Sequence, residues 1–233
     1  MFLQNIIFNN QTWYNIFIMS SLFVYSQYIF FDFFFKNYNK KYNTLNPNVQ
    51  DYIVSNISKS LILLLICIAS SNIIILLFYD IWPENVWKNI VAVYISTDFV
   101  SLLAVKKHKI NTLIHHIFSV LMGIMAILFI DFNEKNIWKL ILLYGIFSAT
   151  AYTINLFLGM RFLFDKKSKN MKLLCTNSCY FYMGVCSFNW MFQIYFIFNW
   201  ELYLFGWQFL LYITAICSFI KDDIKLIQFM LNY

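Results

Sequence analysis

The stretch LIHHIFSVLMGIMAILFI, residues 113–130, decides the fold class of this chain. It contains no acidic residue, lysine or arginine, and apart from one serine and one glycine everything after its two histidines is apolar. A helix needs about 20 mainly apolar residues to cross the hydrocarbon core of a membrane. Because lipid offers no hydrogen bonds to the backbone, such a segment must be helical. The stretch therefore predicts a membrane-spanning α-helix.

Six further stretches have the same apolar character, and the composition of the whole chain agrees with them. Of the 233 residues, 61% are hydrophobic and 12% are charged, and the mean hydropathy is +0.63, values far from those of soluble proteins. No linker rich in proline, glycine or serine divides the chain. We therefore predict one all-α domain, a polytopic bundle of seven spans at residues 14–35, 61–79, 90–105, 113–130, 138–160, 173–198 and 202–220.

The distribution of basic residues predicts the orientation of this bundle. With seven spans, 14 of the 17 lysines and arginines fall on one side, in the loops 36–59, 106–109 and 161–172 and in the tail. Basic residues beside a span resist translocation, so this side is expected to face the cytosol, with the C-terminus, and the N-terminus to be lumenal or external. The net charge of +6 then reflects topology. We expect membrane lipids rather than nucleic acid as partners, with a homo-oligomer left open.

Ionisable groups inside spans are costly to bury and are therefore functional candidates. Asp98 lies in the third predicted span, and His115 and His116 open the fourth. The short connection makes these spans antiparallel neighbours, which predicts a hydrogen bond between Asp98 and one histidine. Such a bond fixes the imidazole tautomer and leaves the other nitrogen free as a base or nucleophile. Because adjacent helical residues point about 100° apart, the second histidine orients the first or contacts a neighbouring helix.

A structural interpretation of the same three residues stays open. The histidine tips would then reach interfacial water, and serine or threonine neighbours would satisfy the carboxylate of Asp98. A metal site is not expected, because helical metal pairs usually have His-x-x-x-His spacing, whereas His115 and His116 are adjacent. The sequence likewise suggests no bound cofactor.

Further polar residues lie at a similar depth, near the basic boundary of the spans. Asn155, Asn177 and Ser178 lie a few residues from Arg161 or Lys172, and the four helices concerned reach this level roughly 8–12 Å inside the boundary at about 1.5 Å per residue. An acidic or phosphorylated ligand such as a coenzyme A ester would be attracted to the basic residues of this rim.

The residues around this level resemble the TLC (TRAM-LAG1-CLN8) domain family. The similar stretches are residues 94–98, the pair Lys106-Lys107 and His115-His116-Ile117, with weaker similarity at 49–61 and 148–155. The resemblance implies a six-helix TLC core at residues 49–220. One extra helix within residues 1–48, between a lumenal segment and a cytosolic loop, would precede this core, and a cytosolic tail at 221–233 would follow it. A cavity open to the cytosol and residence in the endoplasmic reticulum are implied as well.

The family also implies roles for individual residues. In its ceramide synthase branch, paired histidines serve acyl transfer from acyl-coenzyme A to the amine of a sphingoid base. Carried over, His115 and His116 become the catalytic pair, Asp98 the orienting carboxylate, and acyl-coenzyme A the co-substrate. The candidate lipid-binding or substrate-binding residues are Asn155, Thr150, Asn177, Ser178, Lys106, Lys107 and Arg161.

Three functions follow from these observations. The acidic residues that ceramide synthases carry after the paired histidines have no counterpart between Gly145 and Gly159, so the chain is closer to the small TLC proteins. The first hypothesis is therefore a protein that handles or tunes membrane lipids, in sphingolipid or acyl-lipid homeostasis, without covalent chemistry. The second is a ceramide synthase-like N-acyltransferase with an aspartate-oriented histidine pair. The third is a cargo receptor or translocation accessory.

Overall fold

The computed structural model of the chain describes residues 11–77, 79, 81–165 and 168–233. All regular secondary structure within these residues is helical, which confirms the all-α fold class for this part of the chain. The first ten residues of the predicted lumenal segment lie outside it. The helices are α1 (Gln11–Tyr38), α2 (Lys40–Asn43), α3 (Pro47–Leu77), α4 (Glu84–Ala104), α5 (Ile110–Phe129), α6 (Ile137–Ala149), α7 (Tyr152–Met160), α8 (Lys169–Asn199), a 3-10 turn (Leu202–Phe205) and α9 (Trp207–Leu231).

Most of these helices have the length and apolarity of membrane spans. The helices α1, α3, α4, α5 and α8 each meet both requirements, and α6 with α7 forms either a sixth, broken span or a re-entrant loop with a bend of 46°. They fit an integral, multi-pass membrane protein. The predicted count of seven is not confirmed, because α9 is not among these helices. Its apolar part ends at residue 220, where Lys221, Asp222 and Asp223 follow.

Helix α9 nevertheless runs along the bundle from one end to the other. Near its start, the hydroxyl of Tyr212 donates a 2.6 Å hydrogen bond to Gln193 of α8. Near its end, the ring centroid of Phe229 lies 4.7 Å from the guanidinium carbon of Arg161. The residues predicted as a cytosolic tail at 221–233 therefore form mainly the last turns of a partly buried helix.

Helix α3 begins at Pro47, well before the predicted start of the second span at residue 61. The side chain of Asn46 accepts a 2.9 Å hydrogen bond from the backbone N–H of Asn48. Asparagine before the first turn and proline at its first position are both favoured at helix starts. As a consequence Lys59, which the sequence analysis assigned to a loop, lies within a helix with its side chain 14% exposed.

The fifth predicted span, 138–160, is broken between α6 and α7. Two side chains bond to carbonyl groups near the break. The hydroxyl of Thr150 donates to the carbonyl of Phe147 at 2.6 Å, and the side-chain amide of Asn155 donates to the carbonyl of Ala151 at 3.0 Å. Both carbonyls also accept backbone hydrogen bonds, from the N–H of Thr150 at 3.1 Å and of Asn155 at 3.0 Å, so each side chain adds a second bond beside the break.

The predicted seventh span, 202–220, is also divided. A 3-10 turn covers its first residues, and α9 starts only after Gly206, whose φ of +58° suits a residue without a side chain. The third span is longer than predicted, since α4 extends over 21 residues.

The basic loops meet at one end of the bundle. Lys41 donates to the carbonyl of Phe164 at 3.0 Å, and the guanidinium carbon of Arg161 lies 5.7 Å from the ring centroid of Tyr52. The connection 105–109 lies at the same end of the bundle, because its residue His108 lines the same cavity as Arg161. We refer to the segments 39–46, 105–109 and 161–165 and the last turns of α9 as the basic end.

Gly159 allows α7 to pack closely on α3. A Cβ atom at this position would lie 2.8 Å from Cδ1 of Ile57 and 3.3 Å from the carbonyl oxygen of Ile53. We expect Gly159→Ala to lower the free energy of unfolding by about 1–3 kcal/mol through overpacking. Gly184→Ala is the matched control, because no atom lies within 4 Å of its Cβ position. Thermal unfolding in one detergent compares them, and a Gly159→Ala midpoint at or above the control contradicts this packing.

Candidate functional site

A cavity of about 720 Å³ lies inside the bundle and reaches the basic end. Its walls come from α3 to α9. The lining at the basic end includes His108, Lys109, Arg161 and Lys225. Both histidines of the predicted pair, His115 and His116, also line it. This central cavity therefore contains the histidine pair that the sequence singled out.

Asp98 lies behind the cavity wall and is completely buried. Its Oδ1 atom forms an ion pair with the ammonium group of Lys59 from α3. The same oxygen lies 2.9 Å from Nδ1 of His116 on α5. The predicted approach of Asp98 to one histidine is thus present, as a close contact in which the ring N–H is not aimed straight at the carboxylate.

This arrangement follows from the cost of burying a charge. Removing a carboxylate from water costs several kcal/mol unless an opposite charge and hydrogen bonds compensate it. The alternative, in which neighbouring hydroxyl groups satisfy Asp98, is not what the structure has. Ser96 and Thr97 donate instead to the backbone carbonyls of Val93 and Tyr94 at 2.7 and 2.8 Å. Lys59 and His116 are therefore the partners that make the buried carboxylate tolerable.

The second ring nitrogen of His116 faces a group of hydroxyls. Nε2 lies 3.5 Å from Oγ of Ser101, which is one helical turn after Asp98 on α4. Oγ of Ser101 lies in turn 3.2 Å from Oγ of Ser55 on α3, and the hydroxyl of Tyr28 donates to Ser55 at 2.7 Å. His116 therefore connects a carboxylate on one side with a serine on the other.

His115 points toward a different helix, as expected for adjacent residues. Its Nδ1 atom lies 3.4 Å from Oδ2 of Asp222 on α9, and its ring centroid is 5.4 Å from that of Phe219. The two histidines thus share the cavity but not their partners, and of the two it is His116 that contacts Asp98.

A second buried carboxylate, Asp223, lines the same cavity and was missed by the sequence analysis. The hydroxyls of Tyr144 and Tyr182 each donate to it at 2.6 Å. It was missed because residues after 220 were assigned to a tail. Ile224 and Ile227, which continue the apolar face at helical spacing, were the signal that α9 extends further.

The predicted binding residues are divided between different surroundings. Asn155 and Arg161 line the central cavity, whereas Lys106, Lys107 and Thr150 do not. Lys109, the third lysine of the same connection, lines the cavity instead. The guanidinium carbon of Arg161 lies 4.7 Å from the ring centroid of Phe162.

Asn177 and Ser178 belong to a separate, smaller cleft of about 440 Å³ between α7 and α8. The hydroxyl of Ser178 is oriented by the carbonyl of Thr153 at 3.3 Å. The polar groups that were expected at one depth on four helices are therefore divided between two sites, and of these two the central cavity is the one lined by histidine, acidic and basic side chains. Among the residues that the structure describes, no group of three histidine, cysteine or acidic side chains has the arrangement of a metal site.

Comparison of the chain with protein-family models, with curated proteins and with solved structures finds no match in any of the three. The resemblance to the TLC domain therefore stays a prediction from the residues quoted above. The functional interpretation depends on the geometry of the site alone.

The ion pair between Lys59 and Asp98 predicts a strong dependence of stability on both residues. Lys59→Met leaves a buried carboxylate without its ammonium partner, so we expect a loss of about 3–5 kcal/mol in the free energy of unfolding. The double variant Lys59→Met/Asp98→Asn removes both charges and is expected to recover much of this loss.

The control is Lys36→Met, which breaks an exposed pair with Asp32 and should cost at most about 1 kcal/mol. Denaturant unfolding of the four proteins in one detergent measures the differences. Equal losses for Lys59→Met and Lys36→Met, or a double variant as unstable as Lys59→Met alone, would show that the buried pair contributes no more to the free energy of unfolding than the exposed one.

Proposed function

We propose that this chain is a multi-pass membrane protein that handles or tunes membrane lipids by holding a lipid in the central cavity. The observation that carries the proposal is the composition of one cavity. Basic and other polar side chains line its basic end, and apolar side chains line the part further inside. A site of a few hundred cubic ångströms with apolar walls and a few convergent polar groups is the usual form of a small-molecule site.

The basic end suits a negatively charged head group. Lys109, Arg161 and Lys225 line the cavity there, while Asp222 and Asp223 are already in contact with His115 and with tyrosine hydroxyls. Lysine and arginine bind phosphate through charge-assisted hydrogen bonds. Basic residues at the membrane surface are also attracted to the anionic lipids of the cytosolic leaflet.

The apolar walls suit an acyl chain. Ile90 and Val91 of α4 line the cavity and lie two helical turns from Asp98, roughly 10–12 Å further from the basic end at about 1.5 Å per residue. Met122 of α5 and Ile141 of α6 extend the apolar lining in the same direction. The cavity is thus basic at one end and apolar further inside, which matches the charged head group and the apolar chain of a lipid.

The resemblance to small TLC proteins supports the same function, since their roles include membrane lipid homeostasis. We extend the proposal to location: the basic end faces the cytosol, as expected for basic loops, and the endoplasmic reticulum is the membrane that the resemblance suggests.

Filling the cavity tests this function. Gly145 lines it, and apart from its own stretch of helix backbone no atom lies within 4 Å of a Cβ added there, so the side chain of Gly145→Trp starts in open space. We expect severalfold less lipid to remain bound to this variant after purification, as measured by native mass spectrometry. Gly184→Trp, equally unobstructed but outside the cavity, should keep the amount found in the parent protein.

Both variants must show the helical content of the parent protein by circular dichroism. Equal lipid in Gly145→Trp and Gly184→Trp, or no bound lipid in the parent protein, would reject the proposed function.

A second function, N-acyl transfer from acyl-coenzyme A to a sphingoid base, is favoured by the contact between Asp98 and His116. A carboxylate at one ring nitrogen leaves the other nitrogen as a general base. Because His115 contacts Asp222 instead, the two histidines are not equivalent. If the chain is this enzyme, His116→Ala is expected to lower transfer of a labelled acyl group by roughly a hundredfold or more, and His115→Ala much less. Transfer by His116→Ala at the parent rate would exclude the mechanism.

A further inference from the structure

Ser101, His116 and Asp98 lie in the order of a nucleophile, a base and an orienting carboxylate. Oγ of Ser101 is 3.5 Å from Nε2 of His116, and Nδ1 of the same ring is 2.9 Å from Oδ1 of Asp98. Ser101 and His116 line the cavity, whereas Asp98 lies behind them. Such a constellation is recognised by geometry and roles rather than by fold or position in the chain.

The local structure explains why these groups meet. Asp98 and Ser101 are three residues apart on α4 and therefore share a face of that helix. His116 comes from the antiparallel neighbour α5. The separation of 3.5 Å between Ser101 and His116 is long for a hydrogen bond, and Nδ1 of His116 is not aimed straight at Asp98. Catalytic hydrogen bonds are often long or poorly aligned without substrate and tighten in the complex.

We propose that Ser101 is a nucleophile activated by His116, and that the cavity cleaves acyl esters or acyl thioesters through an acyl-serine intermediate. This inference rests on the proposed function, because the cavity must first hold the acyl chain. The apolar walls described above would place the acyl chain deeper in the cavity than Ser101, with its carboxyl end beside Ser101 and His116.

The steps balance without a redox partner. The Oγ atom of Ser101 bonds to the acyl carbon while its proton passes to Nε2 of His116. The bond from the acyl carbon to the alcohol or thiol breaks, and this leaving group takes the proton from Nε2. Water then attacks the acyl-serine ester and gives a proton to Nε2, which returns it to Ser101 as the fatty acid leaves. The carboxylate of Asp98 stabilises the imidazolium in both steps.

A hydrogen-bond chain orients the serine for this role. Tyr28 donates to the hydroxyl of Ser55 at 2.7 Å, so the proton of Ser55 is free for Ser101, whose oxygen is 3.2 Å away. With that bond accepted, the proton of Ser101 is free for His116. The carbonyl of Ser101 is also 3.0 Å from Nε2 of His108. Ser55 is in this view a positioning residue.

The test uses a fluorophosphonate probe, which phosphonylates an activated serine oxygen with loss of fluoride, on the full chain in lipid nanodiscs. We expect labelling that peptide mass spectrometry assigns to Ser101. Ser101→Ala should abolish it, and His116→Ala should slow it by roughly a hundredfold or more. Ser96→Ala is the matched control, since this buried serine of α4 donates only to a backbone carbonyl and does not line the cavity.

Native mass spectrometry of bound lipid accompanies every measurement and separates the two proposals. Bound lipid without any labelling of the parent protein, or labelling at a serine other than Ser101, overturns the nucleophile and leaves lipid binding intact. The assignment of the labelled peptide in the parent protein does not depend on whether a variant folds. Absence of lipid from the cavity overturns the proposed function itself.

Discussion

The buried carboxylate of Asp98 is the constraint on which the centre of this structure depends. A lone charge inside an apolar bundle would be too costly, so the fold must bring it partners from other helices. Lys59 comes from α3 and His116 from α5. One side chain of α4 thereby fixes how three helices meet, and it does so directly behind the wall of the central cavity.

The fold class and the contact between Asp98 and a histidine could be predicted from the sequence. Residues 113–130 are apolar enough to require a helix in lipid, and six further stretches repeat the pattern. The contact followed from chain connectivity, because a short connection forces two helices to lie side by side. Both inferences depend only on local composition and on neighbours in the chain, which a single sequence displays.

The rest of the site depends on packing between helices that are distant in the chain. Lys59 was assigned to a loop because its segment is polar, although Asn46 and Pro47 mark an earlier helix start. Asp222 and Asp223 were assigned to a tail because hydropathy falls where charges begin. Each of these charges has a partner on another helix, which composition alone does not reveal.

The most direct measurement is an experimental structure of the chain in lipid nanodiscs at a resolution that shows side chains. We expect the carboxylate of Asp98 to contact both Lys59 and His116, with elongated lipid density running from the basic residues toward Ile90. Side chains of Asp98 and His116 turned apart, toward bulk water or the surrounding lipid, would contradict a shared centre and leave only the helical bundle.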